Sequence, residues 1–157
     1  MKNSFYLIAF VLVFFTSCNK SVEKSIEISV DESAKEAPSL KGVWELVSYY
    51  NYDENGVSDT IKSTKGNRQI KIYSDTKVNW SRYRESDSLD WFGYGNYSNT
   101  DSSLTENLEY GSKSMNQIIS EREAFEFNLV LENDKFSQIE IDEEGNILFA
   151  ENYIRIE

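Results

Sequence analysis

Lys41-Gly42-Val43-Trp44-Glu45-Leu46 opens the part of the chain in which short runs of apolar and polar residues alternate. This alternation places successive side chains on opposite faces of a β-strand. Further runs of the same kind follow, separated by turn residues such as Asp53-Glu54-Asn55-Gly56. Short strands in succession with short connections predict an antiparallel meander, and eight of them close into an up-and-down barrel without exposed edges. We therefore predict an all-β, eight-stranded antiparallel barrel over residues 40–157.

The predicted strands are separated by two less readable stretches. We expect the polar residues up to Gly66 to form a long loop at one mouth of the barrel, and 111–123 to form a loop with room for one helical turn around Met115–Ile119. In the first strand, Trp44, Leu46 and Ser48 are predicted to share one face. The predicted strands are 43–52, 68–73, 77–84, 91–98, 104–110, 124–132, 135–141 and 147–156.

Composition excludes several classes of function. The 157 residues carry a net charge of −11, which disfavours nucleic acid as a partner because phosphate binding needs a concentrated positive surface. The chain has no histidine, the commonest general base and metal ligand, and its acidic turns lack the ligand spacing of a calcium loop. We expect no catalytic residues, no metal, no cofactor and no enzymatic activity, and we expect a monomer.

The N-terminal residues 1–17 read as a secretory signal peptide, with Lys2 before an uncharged apolar run from Phe5 to Phe15. This run is too short to span a membrane comfortably, since a transmembrane helix needs roughly 20 apolar residues. Phe15-Thr16-Ser17-Cys18 resembles a bacterial lipobox. The resemblance implies that Cys18 receives a diacylglyceryl group, that cleavage precedes it, and that its amine is acylated with a palmitate-type chain. The alternative is an ordinary cleaved signal with a stray cysteine.

Residues 18–39 are predicted to be the acylated cysteine and a flexible tether that lifts the domain off the membrane. The segment is rich in Lys, Glu, Asp and Ser, and Pro38 closes it. Two other readings stay open: Ile26, Ile28 and Val30 alternate and could add an edge strand, and 22–37 could form a short helix. The expected location is the bacterial cell envelope, at the outer membrane, on either its periplasmic or its surface side.

The barrel pattern resembles the lipocalin-like proteins, which open their first strand with Gly-x-Trp, here Gly42-Val43-Trp44. In that family an Arg of the last strand packs over the Trp, and Arg155 occupies the matching place. The resemblance implies that these residues close the base of the barrel, with a cation–π contact worth roughly 0.5–2 kcal/mol. More narrowly, the chain is similar to uncharacterised bacterial lipocalin-like lipoproteins. The matching phrases are 91–97, 104–106, 109–112, 136–138 and 151–155.

A lipocalin-like barrel implies a cavity for a small hydrophobic ligand, although the aromatic side chains could instead fill the interior and leave an interaction module. Arg82 and Arg84 could meet a ligand carboxylate, or could pair with acids at the surface. Glu106 and Glu109 are three residues apart in a strand and are predicted to face opposite sides. The candidate ligand-binding residues are Trp80, Arg82, Phe92, Tyr94, Glu109, Gln138 and Asn152.

Overall fold

The computed structural model describes residues 37–86 and 89–157, which form nine antiparallel β-strands and one α-helix. The predicted signal peptide, Cys18 and the alternation at Ile26, Ile28 and Val30 lie outside the described residues. The elements in chain order are β1 Gly42–Asp53, β2 Gly56–Lys62, β3 Asn67–Tyr73, β4 Lys77–Arg84, β5 Trp91–Asn99, β6 Ser103–Gly111, α1 Lys113–Glu121, β7 Phe125–Leu131, β8 Lys135–Ile141 and β9 Ile147–Arg155.

Eight of the strands close into a barrel. β3 to β9 follow one another as antiparallel neighbours, and β1 joins the two ends by pairing with both β3 and β9. Trp44 lies opposite Arg155 in β9, and Val43 lies opposite Ile72 in β3. The prediction of an eight-stranded antiparallel up-and-down barrel is therefore confirmed.

β2 is the ninth strand, and the prediction of a loop up to Gly66 was wrong. β1 pairs with β3 only from Gly42 to Glu45, and from Ser48 to Asp53 it pairs with β2 instead. The β2 side chains are mostly exposed, so this strand is held mainly by its backbone hydrogen bonds to β1. It therefore has little of the alternation between apolar and polar residues by which a strand is recognised in a sequence.

A β-bulge reverses the inward face of β1. Trp44 and Leu46 are buried, and the register with β9 shifts between Leu46 and Ser48. One extra residue on one strand moves all later side chains to the other face. Tyr49 therefore faces inward and stacks on Phe149 with 5.2 Å between ring centroids, whereas Ser48 turns outward, contrary to the face predicted for it.

The base of the barrel is closed by the predicted pair. The guanidinium carbon of Arg155 lies 4.0 Å from the ring centroid of the fully buried Trp44. Arg155 also donates to the carbonyls of Ser39, Lys41 and Asn133, so it fastens the entering chain to the β7–β8 turn. Gly42 has a φ of 130°, and a Cβ there would collide with the Arg155 guanidinium. The Gly-x-Trp motif thus meets both a backbone and a packing requirement.

α1 is longer than the single turn predicted for its region. Ser112 caps it by accepting a hydrogen bond from the Met115 amide at 3.3 Å, as side-chain oxygens do at helix N-termini. Met115 is buried against the barrel, and the helix packs on β5 and β6. Within 37–86 and 89–157, no helix has the length and apolar character that crossing a bilayer requires.

Candidate functional site

Inward-facing side chains stack in levels from the base of the barrel to its mouth. β3 and β4 run side by side, and their inward residues are opposite one another in register. The rising pairs are Tyr73 with Val78, Lys71 with Trp80, Gln69 with Arg82, and Asn67 with Arg84. The first pair is part of the closed core, while the other three border open space. The lumen is therefore filled at its base and hollow above it.

The inner chamber is a cavity of about 230 Å³ immediately above the core. It combines aromatic and aliphatic walls with a small number of charged and amide groups, which is the usual composition of a small-ligand pocket. Its apolar lining is Trp80, Trp91, Leu108, Met115, Phe125, Phe127 and Phe149, and its polar lining is Gln69, Lys71, Arg82, Glu106, Gln138 and Glu151.

A buried ion pair lies at the bottom of the inner chamber. Lys71 Nζ lies 2.8 Å from Glu106 Oε1, and both side chains are only 3 % exposed. Lys71 also donates to the side-chain amide oxygen Oε1 of Gln138 at 2.7 Å, and the Tyr73 hydroxyl donates to Glu106 at 2.5 Å. Burial, followed by the Glu106 charge, raises the pKa of Tyr73 well above its usual value, so this hydroxyl stays a donor. The charges of the chamber floor are thus internally satisfied.

A second polar group lies inside the lumen, where side chains of β3 and β9 meet across the inner face of β1. The Tyr153 hydroxyl donates to Glu151 Oε2 at 2.6 Å, and Gln69 Nε2 donates to the Tyr153 oxygen at 2.7 Å. Burial, followed by the Glu151 charge, raises the pKa of Tyr153 well above its usual value. The carboxylate of Glu151 is therefore held by neutral donors rather than by the lysine below it.

The outer chamber is a space of about 250 Å³ nearer the mouth, between the β1–β2 hairpin and the upper halves of β3 and β4. It exists because β1 leaves β3 after Glu45 and turns to β2. Gln69 and Arg82 line both chambers, so the two spaces adjoin. The outer chamber is lined by Leu46, Tyr49, Asn51, Ile61, Asn67, Gln69, Arg82 and Arg84.

Three of the predicted ligand-binding residues line the inner chamber. Trp80 and Arg82 face it from β4, and Gln138 faces it from β8. The Arg82 guanidinium also stacks on Trp91, 4.8 Å from the ring centroid. Arg84 faces the outer chamber. Both arginines thus point into the lumen.

The prediction that Phe92 and Tyr94 line the cavity was wrong. Both face outward, because their neighbours Gly93 and Gly95 take the inward positions of β5. The reason lies in packing: a Cβ at Gly93 would be 2.7 Å from the indole nitrogen of Trp80. The inward glycine makes room for the indole of the adjacent strand, and the aromatic residues of β5 are displaced to the surface.

Glu109 also faces outward, contrary to its prediction as a cavity residue. Leu108 is buried on the inward face of β6, so alternation places the next residue, Glu109, on the outer wall. The register shift between Tyr94 and Gly95 changes only the faces of Tyr110 and Gly111, which follow it. Glu109 accepts hydrogen bonds from Lys77 Nζ at 2.6 Å and Asn96 Nδ2 at 2.8 Å, and the contact with Lys77 lowers its pKa. The prediction that Glu106 and Glu109 lie on opposite faces is confirmed.

Asn152 is the fourth residue wrongly placed in the cavity. It accepts from the Ser137 hydroxyl at 2.7 Å and donates to the Ser48 hydroxyl at 3.2 Å. These three residues are register partners on β8, β9 and β1 and form a polar row on the outer wall. The inward positions beside Asn152 belong to Glu151 and Tyr153.

The polar residues of β3 were missed as cavity residues. In β3, Gln69, Lys71 and Tyr73 are buried, while Ile72 is 45 % exposed. Alternation alone marks two faces, and the rule that apolar residues face inward selects the wrong one here. A lysine and a glutamine alternating with isoleucines in a predicted barrel strand were the only available indication of a polar lumen.

No protein-family model matches this chain, and no curated protein matches it. Among solved structures, a lipocalin-like protein from Bacteroides uniformis has a similar fold, with a TM-score of 0.53 and 16 % sequence identity. The similarity covers 74 % of this chain and 98 % of that one. At this level of identity the comparison concerns architecture alone. The chain therefore has a lipocalin-like fold.

Proposed function

We propose that the protein is a membrane-anchored lipoprotein of the bacterial cell envelope that binds a small hydrophobic ligand inside its barrel. The observation that carries this proposal is the inner chamber of about 230 Å³, with its seven apolar liners and its few polar groups. Lipocalin-like barrels typically bind rather than catalyse, which agrees with this use of the lumen. Monomeric binding is sufficient, since one barrel encloses the whole chamber.

The size of the chamber indicates the size of the ligand. Pockets for small molecules usually measure about 300–1,000 Å³, and the inner chamber is below that range. A long acyl chain would not fit inside it, whereas a bicyclic aromatic body or a short chain would. Trp80, Trp91 and Phe127 offer flat surfaces on which such a body could stack.

The proposed anchor is Cys18, carrying lipid chains that hold the mature protein at the membrane. More than one acyl chain on the residue is enough for stable attachment. The test is Cys18→Ser in the native host: the variant should appear in the soluble envelope fraction. Retention in the membrane fraction after washing with carbonate and high salt would show that acylation of this residue is not the attachment.

The alternative is an interaction module that docks to another envelope protein. Its support is a set of exposed aromatic side chains on the outer wall of β4 to β6. Tyr83 is 59 % exposed and Tyr110 is 53 % exposed, with Phe92 and Tyr94 beside them. Aromatic residues are enriched in the cores of protein interfaces. Ligand uptake into the lumen separates this alternative from the first proposal.

The test uses residues 19–157, because all barrel pairings and the contacts of Arg155 lie between Ser39 and Glu157. The probe is N-phenyl-1-naphthylamine, whose fluorescence rises in apolar surroundings. We expect saturable uptake with one site per chain. Native mass spectrometry after gentle purification should also reveal co-purified small molecules. Absence of saturable uptake would overturn the binding proposal and leave the interaction module.

A cavity-blocking variant shows whether the probe enters the lumen. Leu108 lines the inner chamber, and Leu108→Trp places a larger side chain in that space. Overpacking costs about 1–3 kcal/mol, so the thermal midpoint must be recorded beside the binding curve. Tyr110→Trp is the matched control on the exposed outer wall of the same strand. Only the Leu108 variant should lose uptake; equal loss in both would place the probe outside the barrel.

A further inference from the structure

We infer that the outer chamber is a subsite for the anionic head of the ligand, so that the full ligand is a small amphiphile carrying one carboxylate, sulfonate or phosphate group. This inference rests on the proposed binding function and specifies its ligand class. The apolar body occupies the inner chamber, and the anionic group lies beside Arg82 and Arg84. Gln69 and Arg82 line both chambers, so a single molecule reaches from one to the other.

The outer chamber is rich in hydrogen-bond donors. Two guanidinium groups line it, and none of the eight described residues that form its wall is acidic. The side-chain amides of Asn51 and Asn67 form no hydrogen bond with described residues and are directed to this space. Burial raises the pKa of Tyr49 to about 12, so its hydroxyl remains a neutral donor at physiological pH. This donor set complements an anion.

The environment of Arg84 favours the binding of an anion. It is half-buried in the wall of the outer chamber and makes no ion pair with any carboxylate among the described residues. Removing part of the hydration shell of a cation costs free energy that a bound anion would recover. The location is also unusual for this protein, whose overall charge is −11. Two cations, Arg82 and Arg84, are nevertheless placed together at a space that adjoins the inner chamber.

The nearest acids do not occupy this space. Glu151 lines the inner chamber and is held by the Tyr153 hydroxyl and the Gln69 amide. Glu140 is bound by Arg122 at 2.9 Å beyond the end of α1. Both carboxylates contribute to the raised pKa of Tyr49, after burial, so their negative charge reaches the chamber wall. Glu151 lines the adjoining inner chamber, and its negative charge would repel a highly charged head group, so the ligand that we propose carries a single anionic group.

The experiment compares two probes that share one apolar body. 1-Anilinonaphthalene-8-sulfonate is N-phenyl-1-naphthylamine with an added sulfonate, so the difference in their affinities reports the anion alone. Residues 19–157 are titrated with each probe as wild type, Arg84→Gln and Arg68→Gln. Arg68 lies on the outer wall of β3 and pairs with Glu45, so its variant makes the same charge change outside the lumen.

We expect Arg84→Gln to weaken the sulfonate probe roughly tenfold, as for loss of one hydrogen bond to a charged group. The same variant should change the affinity of the neutral probe less than about twofold, which also reports that the barrel is intact. Arg68→Gln should affect neither probe. The sulfonate probe should compete with the neutral probe at one site per chain.

Two results would overturn the inference in distinguishable ways. If both probes bind to the lumen and Arg84→Gln leaves the sulfonate probe unaffected, the anionic subsite is wrong while the binding function stands. If neither probe binds saturably, the binding function fails and the subsite fails with it. Equal weakening of the sulfonate probe by Arg68→Gln would also refute the subsite, because it would reveal a general surface-charge effect.

Discussion

The buried ion pair of Lys71 and Glu106 provides the sharpest test of how the lumen is stabilised. Lys71→Met removes the donor to both Glu106 and Gln138 and leaves a carboxylate that is 3 % exposed, with the Tyr73 hydroxyl as its only side-chain partner among the described residues. Breaking a buried pair by removing one member costs about 3–5 kcal/mol, because an uncompensated charge stays behind. We expect a loss of free energy of unfolding in that range.

The assay is equilibrium urea unfolding followed by tryptophan fluorescence, with the slope of the transition checked for constancy. Arg68→Met is the control: its partner Glu45 is 2.5 Å away, but the Arg68 side chain is 51 % exposed, and exposed pairs contribute about 0–1 kcal/mol. The double variant Lys71→Met, Glu106→Met removes both charges and should recover most of the stability lost in the single variant.

The reasoning would be refuted if Lys71→Met cost no more than Arg68→Met. That outcome would mean that water in the inner chamber solvates Glu106 well enough to replace the lysine. Failure of the double variant to recover stability would instead show that Lys71 and Glu106 stabilise the barrel mainly through their packing and hydrogen bonds, and not through mutual neutralisation.

Three further predictions concern backbone, cavity and pH. Gly42→Ala should destabilise the fold by roughly 1–3 kcal/mol because of the backbone φ of 130° alone. The loss should be larger in total, because the new methyl group displaces the Arg155 guanidinium. Thermal unfolding measures the loss of stability. Gly93→Ala should push the packed indole into the inner chamber and reduce uptake of N-phenyl-1-naphthylamine while leaving the far-UV circular dichroism spectrum unchanged. The free energy of unfolding should fall as the pH rises from about 10 to about 12. Burial raises the pKa of Tyr49 to about 12 in the folded state, so in this range the unfolded chain loses the tyrosine proton before the folded chain does. Urea unfolding midpoints measured across the range test this.

Each of these predictions has its own control or contrary result. Gly145 has a φ of 89° and open space around it, so Gly145→Ala isolates the backbone term from the displacement at Gly42. Equal losses in the two variants would remove the role assigned to Arg155. Unchanged probe uptake in Gly93→Ala would contradict the proposed indole shift. If the urea midpoint stays constant or increases as the pH is raised above about 10, the burial assigned to Tyr49 is contradicted.

The base of the barrel could be predicted from sequence because it is closed by a short motif whose residues each have a defined geometric role. Gly42, Trp44 and Arg155 are the closing elements, and the structure joins them as the resemblance implied. The strand over Phe125–Leu131 was also clear, because its alternating large apolar residues leave little choice of inward face. In this strand, the alternation of side chains and the preference of large apolar residues for the interior indicate the same inward face.

Prediction failed where local pattern and tertiary packing disagree. β2 carries few apolar residues, and β3 directs its isoleucines outward to leave a lysine and a glutamine inside. In β5 two inward positions are glycines, because a Cβ at Gly93 would meet the indole of Trp80 and a Cβ at Gly95 would meet the β6 backbone. Four of the predicted cavity residues, Phe92, Tyr94, Glu109 and Asn152, faced outward for such reasons.

The amino-acid sequence alone determined the number of barrel strands and their approximate limits, and the resemblance to lipocalin-like proteins indicated the residues that close the base. Only the tertiary structure decided which face of each polar strand lines the lumen. The physical reason is that strand alternation has a period of two: it defines two faces without indicating which is buried, and a one-residue bulge exchanges them. The pairing of Lys71 with Glu106 and the two adjoining chambers depend on contacts between distant strands, and those contacts exist only after the barrel closes.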